Sequence, residues 1–136
     1  MSADGPPQFS FPVRVYYEDT DLAGIVYYAN YLRFYERART EWLRAVGVDQ
    51  GGLQSEKGLV FAVRRVEVDY LLPAKFDDAL TVTAEVDAVG GASLTMRQAI
   101  LRGSEALSRA VVRIACVDAA GRPARLPAEL TTALGK

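Results

Sequence analysis

Between residues 29 and 46 apolar side chains recur at three- and four-residue steps. Tyr31, Phe34, Tyr35, Ala38, Trp42, Ala45 and Val46 fall on one stripe at 3.6 residues per turn, which predicts an amphipathic helix. Its other face carries Arg37 four residues before Glu41 and Glu36 three before Arg39, spacings that predict two ion pairs. Gly47 follows the stripe and suits the left-handed position that ends a helix. From about residue 59 the period shortens to two, and everything beyond reads as strand. Leu80, Val82, Ala84, Val86 and Ala88 alternate with Thr81, Thr83, Glu85 and Asp87, the pattern of a strand with one wet face. Gly90-Gly91 and Gly103-Ser104 separate that run from Leu94 to Ile100, and that one in turn from residues 106 to 117; both pairs predict two-residue hairpins. A further run over residues 60–72 stops at Pro73, and its alternation slips phase between Val63 and Val66, which predicts a bulge at Arg64-Arg65. Phe11 to Tyr17 reads as the first strand, preceded by a Pro/Gly/Ser-rich lead-in over residues 1–10.

One amphipathic helix and an antiparallel meander bury their apolar faces most simply when the sheet wraps the helical stripe, an α+β fold. The chain has 136 residues, the size of one domain, here expected over residues 11–136. Such a sheet leaves open edges, and pairing with a second copy closes one, so a homodimer is the expected assembly.

Composition narrows the chemistry. Sixteen basic and seventeen acidic residues lack the one-signed excess of a nucleic-acid binder. There is no histidine, which removes Ser-His and Cys-His catalysis and His-ligated metal sites together, so any general base is a carboxylate, lysine or tyrosine. Cys116 is the sole cysteine; its strand-like flanks predict an inert buried thiol. No run approaches the roughly 20 apolar residues that cross a bilayer, and the first residues lack a signal-peptide pattern, which predicts a cytoplasmic protein. The glycine pairs match no nucleotide-binding spacing, and no G-x-S-x-G elbow occurs.

What remains is the segment Tyr17-Glu18-Asp19-Thr20-Asp21-Leu22-Ala23-Gly24-Ile25-Val26-Tyr27-Tyr28-Ala29-Asn30-Tyr31. It sets three carboxylates in a loop before a helix whose first N–H groups are unpaired and behave as about half a positive charge. Such a place keeps an aspartate ionised and offers donors to an oxygen that gains charge in a transition state, the parts of acyl transfer. Acidic residues before a helix also cap it or shape a turn, and spacing alone does not separate the two readings.

That segment, followed by Arg33-Phe34-Tyr35-Glu36-Arg37-Ala38-Arg39-Thr40-Glu41-Trp42-Leu43, closely resembles the hotdog-fold acyl-CoA thioesterases of the 4-hydroxybenzoyl-CoA thioesterase family, nearest its Tol-Pal-associated branch. The likeness continues through Val68 to Ala74, Phe76-Asp77-Asp78 and Gly121 to Pro127. It implies a long sheet wrapped around a central helix, active sites at a dimer interface, frequent tetramers, and hydrolysis of an acyl-CoA without metal or other cofactor. It places the catalytic carboxylate at Asp21, as nucleophile or as base toward water, and carbonyl polarisation at the backbone N–H of Tyr28. Val26 and Gly24 would complete the substrate contacts, Gly24 through a close backbone approach, and Asn30 would supply a helix-start bond. Glu18 and Asp19 read as supporting loop residues. The branch commonly has histidine where this chain has Tyr28, and the hydroxybenzoyl branch carries basic residues where this chain has Gly90-Gly91-Ala92. The coenzyme A phosphates are therefore assigned to Arg64, Arg65 or Arg125. A hotdog hydratase needs a histidine the chain lacks. A non-catalytic acyl-CoA or acyl-carrier-protein binding module is the alternative of a different class.

Overall fold

The computed structural model describes residues 8–135. In chain order these form β1 (Phe9–Arg14), a 3-10 turn (Tyr17–Asp19), α1 (Asn30–Ala45), α2 (Gln50–Lys57), β2 (Val60–Tyr70), β3 (Ala79–Val89), β4 (Ser93–Arg102), β5 (Glu105–Val117) and α3 (Ala128–Ala133). The five strands make one antiparallel sheet in the order β1-β3-β4-β5-β2. α1 packs across β3, β1 and β4, so the sheet wraps one central helix in the hotdog arrangement.

The helical stripe is the core. Tyr31, Phe34, Tyr35, Ala38 and Trp42 are buried against Leu80, Val82, Met96, Ile100 and Val112 of the sheet. The stripe ends differently from its period: Leu43 is buried while Ala45 is exposed, because Gly47 at φ 89° turns the chain so that Val48 joins the core. Two polar groups are built into this interior. The Tyr35 hydroxyl donates to Ser108 Oγ at 2.6 Å, and burial pushes its pKa well above the ordinary phenol value. Gln98, on the inward face of β4, donates to the carbonyls of Tyr35 and Thr83.

Several sequence expectations change. β1 starts at Phe9, and residues 1–7 of the lead-in lie outside the described residues. The meander holds for β3-β4-β5 only; β2 crosses to the far edge and pairs with β5, and β1 pairs with β3. The bulge falls where the phase slip put it, with the β2–β5 register shifting between Val63 and Arg65. A second shift, between Val86 and Ala88, turns Ala88 outward and ends the clean alternation of β3. Thr83 is buried rather than wet, its Oγ accepting the Ala99 N–H at 2.9 Å in place of a ladder bond. Gly103 at φ 62° makes the expected two-residue hairpin, whereas Gly90 to Ala92 form a three-residue turn in which neither glycine has positive φ. The helix ion pairs also differ: Glu41 bonds Arg44, Arg37 lies over the Phe34 ring 5.7 Å from its centroid, and Arg39 donates to Gln98. α2 fills a stretch to which the sequence assigned no element, and α3 interrupts one read as strand. Among the described residues no helix is long and apolar enough to cross a membrane.

Candidate active site

The Asp21 loop is a narrow hairpin. Thr20 bridges Val26, the Asp21 N–H donates to the Ile25 carbonyl at 2.9 Å, and the Gly24 N–H donates back to the Asp21 carbonyl at 3.0 Å. Gly24 closes it at φ 79°. A Cβ there would meet nothing within 4 Å, so the glycine is required by its left-handed backbone and not by a close approach. Ile25 bridges Lys75 and the Val26 N–H donates to the Ala74 carbonyl, which anchors the hairpin to the chain between β2 and β3. The Asp21 carboxylate stands in solvent at the tip and accepts the Ala23 N–H at 2.9 Å. One oxygen therefore orients the group, while the other has no partner among the described residues.

Asp19 and Asn30 hold this loop to the helix. Asp19 is 8% exposed, and its Oδ2 accepts the Tyr16 N–H at 2.8 Å. Its carbonyl receives both the Tyr27 N–H and Asn30 Nδ2. Asn30 thus bonds the loop by donating to it; it does not accept a helix N–H as a cap would. Glu18 is exposed. Immediately before α1, the Tyr28 N–H donates to no acceptor among the described residues. Its carbonyl accepts the Tyr70 hydroxyl at 3.1 Å. The rings of Tyr28 and Tyr31 both meet Tyr70 edge-on, with centroids 6.0 and 5.2 Å away.

These rings enclose a cavity of about 190 Å³ with Val26, Leu71, Leu72 and Pro73, apolar on most of its wall. Tyr70, Leu71 and Leu72 fall within the likeness over Val68 to Ala74 but were given no site role: they close and follow a strand whose neighbour is β5, and only that nonlocal pairing brings them to the helix start. Val26 lines this cavity as a buried side chain. Asp21 faces a separate shallow depression with Tyr16, Tyr17 and Leu22, so within one chain the carboxylate and the Tyr28 cavity are joined by the hairpin and do not share a wall. The three arginines assigned to phosphates are not brought together. Arg65 is bound to Glu67 by two bonds of 3.0 and 2.7 Å, Arg64 is the exposed extra residue of the bulge, and Arg125 lies beyond β5, in a segment paired to Cys116 and Gly91. None lines a wall with Asp21 or Tyr28. Cys116 is fully buried and its thiol pKa is raised by burial, away from the site.

A five-stranded antiparallel sheet around one helix, with an acidic loop feeding the helix start, defines a protein of the hotdog fold. The chain belongs to the thioesterase-like superfamily, which it matches over residues 15–134, and as a member it is a thioester hydrolase. It is 48% identical over 126 residues to the acyl-CoA thioesterase YbgC of Haemophilus influenzae, covering 92% of this chain and 93% of that one. It is 46% identical over 111 residues to the acyl-CoA thioester hydrolase YbgC of Escherichia coli, covering 81% and 82%. A probable thioesterase from Bartonella henselae superposes with a TM-score of 0.86 at 40% identity, over 89% of this chain and all of that one.

Proposed function

We propose that the protein hydrolyses acyl-CoA thioesters, as YbgC-type, Tol-Pal-associated thioesterases are named for doing, with Asp21 as the catalytic carboxylate. The observation that carries the reading is the Tyr28 N–H: it has no acceptor among the described residues, lies at the start of α1, and adjoins an apolar cavity. A thioester carbonyl bound there would receive that N–H, and the helix terminus would favour the negative charge that builds on its oxygen. Removing one such donor in other enzymes costs about 2.7–4 kcal/mol.

Two routes from Asp21 lead to the same products. As a base it takes a proton from water, whose oxygen attacks the carbonyl carbon; the C–S bond breaks and the departing thiolate recovers the proton. As a nucleophile it attacks that carbon itself, releases the thiolate, and leaves an anhydride that water opens. Both produce a carboxylic acid and coenzyme A.

The assembly completes the site. β1 is a short edge carrying Pro12, which lacks an N–H, whereas β2 is an eleven-residue edge with Val63, Val66 and Tyr70 exposed. β2 is therefore the edge through which two copies pair, antiparallel about a two-fold axis, so that both helices stay on one face of a continuous sheet.

Asp21→Asn keeps shape and removes the charge. Measured by free-thiol release from a panel of acyl-CoAs, it is expected to lose at least about a hundredfold in kcat, the scale of lost acid–base catalysis, with melting temperature unchanged. Hydrolysis within about threefold of wild type would remove Asp21 from the role.

A further inference from the structure

The start of α1 is held in place without the usual devices of a helix terminus. Ala29, the residue before it, has no side-chain cap among the described residues, and the first turn carries no acidic side chain. Tyr28 stands outside the helix, so no ladder of helical bonds sets its backbone. Two attachments from elsewhere take over. Asn30 Nδ2 donates to the Asp19 carbonyl at 2.9 Å and ties the helix start to the Asp21 loop. Tyr70 Oη donates to the Tyr28 carbonyl at 3.1 Å and ties the same turn to the end of β2, on the wall of the apolar cavity.

The Tyr28 carbonyl has one other donor among the described residues, the Tyr31 N–H at 3.3 Å, which belongs to the same turn and moves with it. Both bonds are longer than the usual values, so neither alone pins that oxygen, and only Tyr70 fixes it relative to the cavity wall. Two peptide planes meet at the Tyr28 Cα. The plane that carries the Tyr28 N–H is held through the Tyr27 carbonyl, which accepts the Asn30 N–H at 2.8 Å; the next plane is held through Tyr70. The Tyr70 ring is aimed in turn, edge-on to the rings of Tyr28 and Tyr31 at 86° and 75°. Burial, and after it the phenols of Tyr28 and Tyr31 that face it, push its pKa above the ordinary phenol value, so the hydroxyl keeps its proton through the neutral range.

We propose that Tyr70 is a positioning residue for thioester hydrolysis: its hydroxyl holds the Tyr28 N–H where the reacting carbonyl oxygen gains charge, without bonding that oxygen itself. The inference rests on the hydrolase reading above and names what aims its donor. An N–H bond of this kind strengthens as charge builds on the oxygen, so a donor that slackens weakens the transition state more than the bound substrate. The effect therefore falls on kcat and spares KM.

Tyr70→Phe keeps the ring with both aromatic contacts and removes the hydroxyl. With one acyl-CoA, followed by free-thiol release, kcat is expected to fall about tenfold, part of the roughly 10²–10³ that loss of a whole oxyanion donor costs. KM is expected to stay within about twofold, the signature of an interaction made in the transition state. A second variant carries difluorotyrosine in place of Tyr70. It retains the hydroxyl, but the ring fluorines bring its ionisation down toward neutral pH, and a phenolate cannot donate. Its kcat is expected to match wild type in weak acid and to fall as pH rises through that ionisation, while wild type stays level over the same range. A hydroxyl that only braces the fold would move the melting temperature and leave no such titration in kcat, and this variant decides if Tyr70→Phe does not fold. A Tyr70→Phe kcat within about twofold of wild type, a loss that follows the folded fraction, or a difluorotyrosine profile parallel to wild type overturns this inference. Wild-type thiol release that Asp21→Asn abolishes leaves the parent reading standing in each of those cases. A wild-type protein that releases no thiol overturns both.

Discussion

Gly24 is the residue of the Asp21 loop that only glycine fills without strain. Its φ of 79° costs an L-residue about 1–2 kcal/mol, and the space around it is open, so nothing but that strain opposes a methyl group. The methyl also stiffens the unfolded chain, which offsets part of the cost. Gly24→Ala is therefore expected to lower stability by about 1 kcal/mol, a fall of roughly 3–5 °C in melting temperature for a domain of this size. Gly24→Asn should cost less, since asparagine tolerates the left-handed region. Equal melting temperatures for wild type and the alanine variant would show that the hairpin relaxes without penalty. The acidic loop stood out because its residue types and its place before the helix are local facts, whereas Asp21 was set apart from Glu18 and Asp19 only by the family resemblance. The bond from Tyr70 to the Tyr28 carbonyl did not stand out, because forty-two positions separate the partners and the strand pairing that joins them leaves no periodic trace. The bond from Arg39 to Gln98 left a fainter signal: Gln98 is the one polar residue among the inward positions Leu94, Met96 and Ile100, and a buried amide implies a bonded partner without saying which.

At the scale of elements, what the period encoded was found, and capping was read at the end of α1 but not at the ends of α2. α1 carries its stripe and its terminal Gly47 in sequence order, and the bulge at Arg64 follows from one phase slip. α2 has two glycines and a single buried residue, Leu53, so it shows no stripe. It is held instead by its ends, Asp49 accepting the Gly52 N–H at 3.1 Å and Gly58 turning left-handed at φ 65°. Those two residues were a readable start and stop. The chain from Pro73 to Asp78, which anchors the Asp21 hairpin, depends on charge. Burial works against the Asp78 carboxylate, but the Lys75 N–H and the Arg102 guanidinium outweigh it and hold its pKa below the ordinary value. A depressed carboxylate contributes stability that is complete above its unfolded value, near pH 4, and is lost as pH falls through the folded value. Arg102→Gln removes the partner, so it is expected to be less stable than wild type at pH 7, with the gap narrowing below about pH 4. Urea unfolding at both pH values reads this directly, and a gap of constant size would mean that Arg102 acts through packing alone.

For the whole molecule the decisive feature is the unequal pair of sheet edges. β1 is short and interrupted by Pro12, while β2 runs eleven residues with Val63 and Val66 exposed at 49% and 39%. An edge of that length with apolar side chains is a template for pairing, and its outward N–H and C=O groups, those not bonded to β5, have no other partner among the described residues. The same pairing would set the Tyr28 cavity of one copy, at the Tyr70 end of β2, beside the Val60 end of the other copy's β2. Val66 lies near the middle of the strand, so in an antiparallel pair it falls close to its own copy across the two-fold axis. Val66→Lys then sets two ammonium groups near each other on a surface that must otherwise be dry, and like charges opposed across a strand pair destabilise it. Sedimentation is expected to show wild type as a dimer or a dimer of dimers and this variant shifted to monomer. Because a monomer retains Asp21 and Tyr28 but loses the facing subunit, thiol release from acyl-CoA is expected to fall with the dimer fraction rather than with the folded fraction. A folded monomer that hydrolyses at the wild-type rate would show that a single chain suffices, and would place the acyl group wholly within the cavity lined by Tyr28, Tyr31 and Tyr70.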